Sequence, residues 1–139
     1  MSPSLLSHAR ALVARAQDDC YVLDRIATDE NAPSWVLGFH AQQAVEKALK
    51  AILSLRGVEF PRTHNLSMLL ELLRRAGATL PPDGEELVRL IPFGVALRYE
   101  EAVGSEALSL DRDWALGAVV RTLDRASDIP RDADLPNGP

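Results

Sequence analysis

The sequence predicts an all-α fold, an up-and-down bundle of four long helices plus one short helix. Two observations carry that expectation. Apolar residues recur at spacings of three and four over long stretches, which is the period of a helix face. No period-two run of β-branched residues appears anywhere in the 139 residues, so no sheet is expected. The strongest pattern lies near 33–56, where Leu37, Ala41, Ala44, Val45, Ala48, Ala51, Ile52 and Leu55 form one broad apolar face. The opposite side carries Gln43, Glu46, Lys47 and Lys50, yet Trp35, Phe39 and Leu53 interrupt it. A helix facing solvent would not place three large apolar residues there. This is the expected central helix, covered on nearly every side and left with a narrow polar seam.

The remaining elements follow from local signals. Ser2-Pro3 starts a first helix near 3–27, with Leu5, Ala9, Leu12, Ala16, Cys20, Leu23 and Ala27 inward and Arg10, Arg15, Asp18 and Asp24 outward. Thr28 to Pro33 is a polar connection, and Pro33 suits a helix start. Gly57 ends the central helix, because glycine accepts the left-handed conformation common at that position. Asn65 caps a short helix near 65–76 carrying Leu66, Leu69, Leu70 and Leu73; Arg74 and Arg75 complement its C-terminal dipole, and Gly77 closes it. A fourth helix is expected near 84–100. Pro92 lies within it and removes a backbone donor, so a kink or short break is expected there. The last helix is expected near 109–127, with Leu116, Val119, Val120, Leu123 and Ala126 inward. The bundle forms one domain over 1–128, and the proline-rich stretch 129–139 reads as a loose tail.

Composition narrows the function classes. A net charge of −5 leaves no overall basic field to recruit nucleic acid, so RNA is not a favoured ligand. One cysteine, Cys20, excludes an internal disulfide framework, and its place on an apolar face predicts a buried, inert thiol. No run approaches membrane-spanning length and no signal-like apolar core opens the chain, so a cytoplasmic location without membrane contact is expected. Three histidines occur: His8, His40 and His64. None makes a metal-ligand spacing within one helix, and no glycine-rich phosphate loop or serine nucleophile elbow is present. Neither a metal nor a cofactor is expected.

The polar seam is the part of the chain that helix-forming alone does not require. Of the 15 basic residues only Lys47 and Lys50 are lysines, three apart in this one helix. Glu46 and Lys50 stand in the favourable i, i+4 order, and His40 and Lys47 share a side of the helix. His64 sits where the chain doubles back toward the central helix. Glu46, Lys50 and His64 are therefore expected to meet, either as a structural cluster or with Lys50 held for a phosphate and Arg62 beside it.

The run Phe39-His-Ala-Gln-Gln-Ala-Val-Glu-Lys-Ala-Leu-Lys-Ala51, followed by Arg56-Gly-Val-Glu-Phe-Pro-Arg-Thr-His-Asn-Leu66, resembles the HEPN (higher eukaryote and prokaryote nucleotide-binding) domain family. Leu97-Arg98-Tyr99 is similar to that family's fourth-helix segment, and the likeness spans about Ala9 to Ser127. The resemblance implies the same helical bundle, a homodimer, a possible nucleotide ligand, and a small nucleotidyltransferase protein as partner, as in a toxin–antitoxin pair. The candidate ligand contacts are Gln43, Glu46, Lys47, Lys50, Arg62 and His64 from the seam and its loop, with Arg98 and Tyr99 added by the resemblance. Many members are metal-independent ribonucleases with an Arg-x4-6-His motif, in which histidine moves the proton and arginine steadies the phosphate. Arg98 could match the arginine, but no histidine follows it in this sequence. The expected function is therefore a non-catalytic HEPN-type module, with no catalytic residue assigned. The alternatives are a ribonuclease toxin with a displaced catalytic group and a plain helical dimerisation module.

Overall fold

The computed structural model describes residues 3–96 and 109–128, and the described elements are all helical. They are α1 (Pro3–Ile26), α2 (Ser34–Leu55), α3 (Leu66–Arg75), a 3₁₀ segment (Gly84–Leu90), α4 (Ile91–Ala96) and α5 (Arg112–Ser127). Among the described residues there is no strand, and no helix is long and apolar enough to cross a membrane. The expected tail 129–139 and the loop after Tyr99 lie outside the described residues.

Local chemistry sets the ends of these helices. Pro33 is the N-cap of α2, in extended backbone, and its carbonyl accepts from the amide of Val36 at 3.1 Å. Its missing N–H costs nothing there, because the first turn of a helix has no internal acceptor. Gly57 and Gly77 follow α2 and α3 with φ of +68° and +74°, as the glycine stops require. Asn65 Oδ1 accepts from the amide of Ser67 at 2.9 Å, and Asp111 Oδ1 accepts from that of Trp114 at 3.0 Å.

Helix α2 runs through the centre and packs against α1, α3, α4, α5 and the 3₁₀ segment. Leu37, Ala41, Ala44, Val45, Ala48, Leu49, Ala51 and Leu53 are all at most 1% exposed. Leu53, on the expected polar side, is thus covered by its own chain, whereas Trp35 and Phe39 remain half-buried. The contact with α4 is close because two glycines permit it. A Cβ at Gly38 would fall 2.3 Å from the Phe93 ring, and one at Gly94 would fall 2.7 Å from Gln42 Cδ.

Three expectations need correction in detail. The stretch 84–100 does not begin as an α-helix: Gly84–Leu90 is 3₁₀ and regular α-helix starts at Ile91. The break expected near Pro92 therefore falls just before it, leaving the proline in the first turn of α4, where it is tolerated. Val120 is not inward but 58% exposed. The buried stripe of α5 runs through Ala115, Ala118, Val119, Thr122 and Ala126, rotated toward small residues that let α5 approach α2. Cys20 is half-buried rather than fully enclosed, because the inner face of α1 runs through Leu6, Ala9, Val13, Ala16 and Leu23.

The close contact between α2 and α4 should be intolerant of one methyl group. Gly38→Ala is expected to destabilise the fold by about 1–3 kcal/mol, the usual range for overpacking. Chemical denaturation checks this; an unchanged midpoint would mean that α4 shifts away without penalty.

Candidate functional site

Glu46 projects from the middle of α2 and is 3% exposed. A buried carboxylate is tolerated only when its oxygens are occupied by donors. Here both are. Oε1 accepts from Gln42 Nε2 at 3.0 Å and from His64 Nδ1 at 2.9 Å. Oε2 accepts from Lys50 Nζ at 3.1 Å, with His64 Nδ1 also 3.1 Å away. The side chain of Lys50 is 14% exposed, and its ammonium lies 5.9 Å from the centroid of the Phe60 ring. His64, by contrast, keeps half its side chain in solvent, at 52%. The expected meeting of Glu46, Lys50 and His64 is therefore present.

Gln42 completes the cluster. It is fully buried; its amide nitrogen serves Glu46 and its oxygen accepts from Gln43 Nε2 at 2.6 Å. On the α4 side, a Cβ at Gly94 would fall within 3.0 Å of both polar atoms of the Gln42 amide, so the missing side chain makes the room.

A second buried carboxylate repeats the arrangement between α1 and α2. Asp19, 7% exposed, accepts from His40 Nδ1 at 3.0 Å on Oδ1 and from Lys47 Nζ at 2.7 Å on Oδ2. The His40 ring also meets Phe39 edge-on, with centroids 5.4 Å apart. Each cluster thus holds one carboxylate, one imidazole and one ammonium. His40, Gln43, Lys47 and Lys50 all remain half-buried and form one stripe of α2 at spacings of three and four.

Of the other expected contacts, Arg62 is exposed and stands on the loop before α3, two residues from His64. Arg98 and Tyr99 lie outside the described residues. His8 is exposed on α1. Asp19 and Gln42 were not expected from the sequence. The signal for Asp19 was present: it stands three after Ala16 and four before Leu23, an acid on the apolar stripe. Among the described residues no group of three or more His, Cys, Asp or Glu side chains is placed to hold a metal ion. Cys20 has its thiol pKa pushed up, first by burial and then by Asp24 and Asp19, so the protonated form is favoured.

Two outcomes follow. Glu46→Ala and Asp19→Ala should each destabilise the bundle by about 1–3 kcal/mol, because each leaves buried or half-buried donors without an acceptor. An exposed pair would contribute only a few tenths, so urea melts separate the cases; a melt of Glu46→Ala that matches wild type would refute a structural cluster. Alkylation of Cys20 should be slower than that of a free thiol at pH 8 and should quicken in Asp24→Asn, which removes one charge opposing the thiolate. Equal rates in the two proteins would show that Asp24 does not act on the thiol.

Comparison with curated proteins and with solved structures gave no match. The family model of the HEPN domain matches residues 9–127, which takes in both carboxylate clusters and every described helix except the first six residues of α1. With most of its length matched in this way, the chain belongs to the HEPN domain family.

Proposed function

We propose that this chain is a non-catalytic HEPN module that works as the helical partner of a small nucleotidyltransferase, itself pairing as a homodimer. One observation supports the non-catalytic part most. The two lysines and the two histidines near α2 are all engaged by buried carboxylates that join α2 to α1 and to the start of α3. Groups held in this way maintain the shape of a docking module. A phosphate arriving at Lys47 or Lys50 would have to compete with Asp19 or Glu46 for the same ammonium.

A nucleotide contact remains a part of the proposal at the open end of the seam. There His64, half-exposed, shares Glu46 with Lys50, and the exposed Arg62 two residues before it offers a guanidinium fork for a phosphate, with Gln43 on the same polar stripe of α2. Arg98 and Tyr99 belong to the same candidate set through the family likeness alone. The ribonuclease reading keeps one supporting observation. His64 is oriented through Nδ1 by a carboxylate while much of its ring faces solvent, as a proton-transferring histidine would be.

Co-expression with a minimal nucleotidyltransferase encoded beside this chain should give a complex that survives size exclusion, and the purified chain should leave RNA uncleaved. RNA cleavage or growth arrest abolished by Arg98→Ala or His64→Ala would overturn the non-catalytic reading. For the ligand, ATP, GTP and their monophosphates should raise the melting temperature in a concentration-dependent way. Arg62→Ala should remove that rise while leaving the unliganded melt unchanged. No rise with any of the nucleotides would confine the seam to a structural role.

A further inference from the structure

A different group of side chains, sharing no residue with the carboxylate clusters, gathers where the C-terminal half of α5 faces the turn that follows α3. A cavity of about 270 Å³ opens there, lined by Pro82, Arg121, Asp124, Arg125 and Asp128. Arg121 and Arg125 stand one turn apart on α5 and are half-buried, whereas Asp124 and Asp128 are exposed. Arg125 donates Nη1 to the Thr79 carbonyl at 3.4 Å. Arg121 Nε is buried and has no hydrogen-bond partner among the described residues.

The position of Arg121 is a built feature of the helix. A Cβ at Gly117 would lie 2.8 Å from Arg121 Nη1, so the guanidinium folds back one turn along α5 into the space that glycine leaves. The missing side chain seats the arginine against its own helix. A guanidinium N–H buried there without an acceptor is the kind of orphan that native structures rarely keep without a use.

The geometry points to an oxyanion-binding site at Arg121 and Arg125, taking a carboxylate or a phosphate. The planar fork of arginine matches either group in a two-point contact, and an oxyanion in the cavity would supply the acceptor that Arg121 Nε lacks once the guanidinium turns from its own helix toward it. Asp124 and Asp128 line the same cavity, but their exposure lets solvent and salt screen them, while the half-buried arginines are screened less. These two carboxylates and the negative end of the α5 dipole oppose an anion and hold the affinity down. The site goes beyond the partnering role proposed above, and its failure would leave that role untouched.

The test follows the Nε–Hε resonance of Arg121 in nitrogen-edited NMR spectra of the full chain. Sodium phosphate and sodium acetate are titrated separately against sodium chloride at equal ionic strength. At least one oxyanion should move that resonance in a saturable way, with chloride doing nothing. Arg121→Gln should abolish the response that phosphate or acetate induces in neighbouring amides of α5. Arg125→Gln should raise the midpoint concentration severalfold. A response to phosphate alone assigns the site to phosphate, to acetate alone to carboxylates, and to both to their shared chemistry. No saturable shift with either, or an equal shift with chloride, overturns the proposal from the wild-type protein alone, whatever the variants do to folding.

Discussion

A carboxylate on a helix that is covered along most of its circumference must find its donors inside the bundle, and Glu46 imposes that condition on everything around it. The donors come from α2 itself, through Gln42 and Lys50, and from the loop before α3, through His64. That loop is consequently brought back against α2 and delivers Asn65 to cap α3. Buried charge of this kind is not an efficient source of stability, since well-packed apolar residues of similar volume often do as well. What it supplies is geometry. Slipping α2 by one residue would carry Glu46 away from His64, the one donor supplied from outside the helix, whereas an apolar contact would tolerate the slip at lower cost.

The same condition reaches α4 through packing. The Gln42 amide that serves Glu46 occupies the space where a Gly94 side chain would be, and α4 can come that near only because Gly38 leaves room for the Phe93 ring. The two glycines and the polar cluster are therefore one arrangement. An added methyl at Gly94 would disturb Gln42 before it disturbed any apolar contact. The 3₁₀ segment that precedes α4 lets the chain turn into this contact, with Leu87 and Leu90 buried at the interface side.

Much of this was legible in the sequence, for reasons that differ between elements. Helices α1, α2 and α3 declare themselves because a core-facing stripe and a terminal signal coincide, as with Pro33 and Gly57 around α2 or Asn65 and Gly77 around α3. The meeting of Glu46, Lys50 and His64 was legible because helix spacing and a short loop leave little freedom. The facing of Val120 was not, because on α5 small residues rather than large ones sit inward, and pattern reading favours the larger apolar side chain. Nor was the partner of His40 and Lys47. Their shared side of α2 could be read from spacing, but Asp19 lies on another helix, and only the packing of α1 on α2 brings it within 3.0 Å of one and 2.7 Å of the other. Interhelix partners depend on crossing geometry, which periodicity within one helix does not contain.

The two clusters also account for the residue choice that sets α2 apart. Basic positions elsewhere in this chain are arginine, yet both cations on α2 are lysine. At Asp19 the imidazole takes one carboxylate oxygen and the ammonium the other; at Glu46 the imidazole lies nearest the oxygen that Gln42 also serves, while the ammonium holds the second. An ammonium is a compact point charge on a thin stem and can satisfy one oxygen without reaching the other. A guanidinium would present two parallel donors and favour both oxygens, displacing the histidine or failing to fit between half-buried neighbours. Lysine at 47 and 50 is thus the cation that a shared carboxylate accepts, and the scarcity of lysine elsewhere follows from the absence of that requirement. Lysine at these two positions thus answers to the fold and not to a ligand: a phosphate site by itself would have been served by arginine, which the chain uses everywhere else.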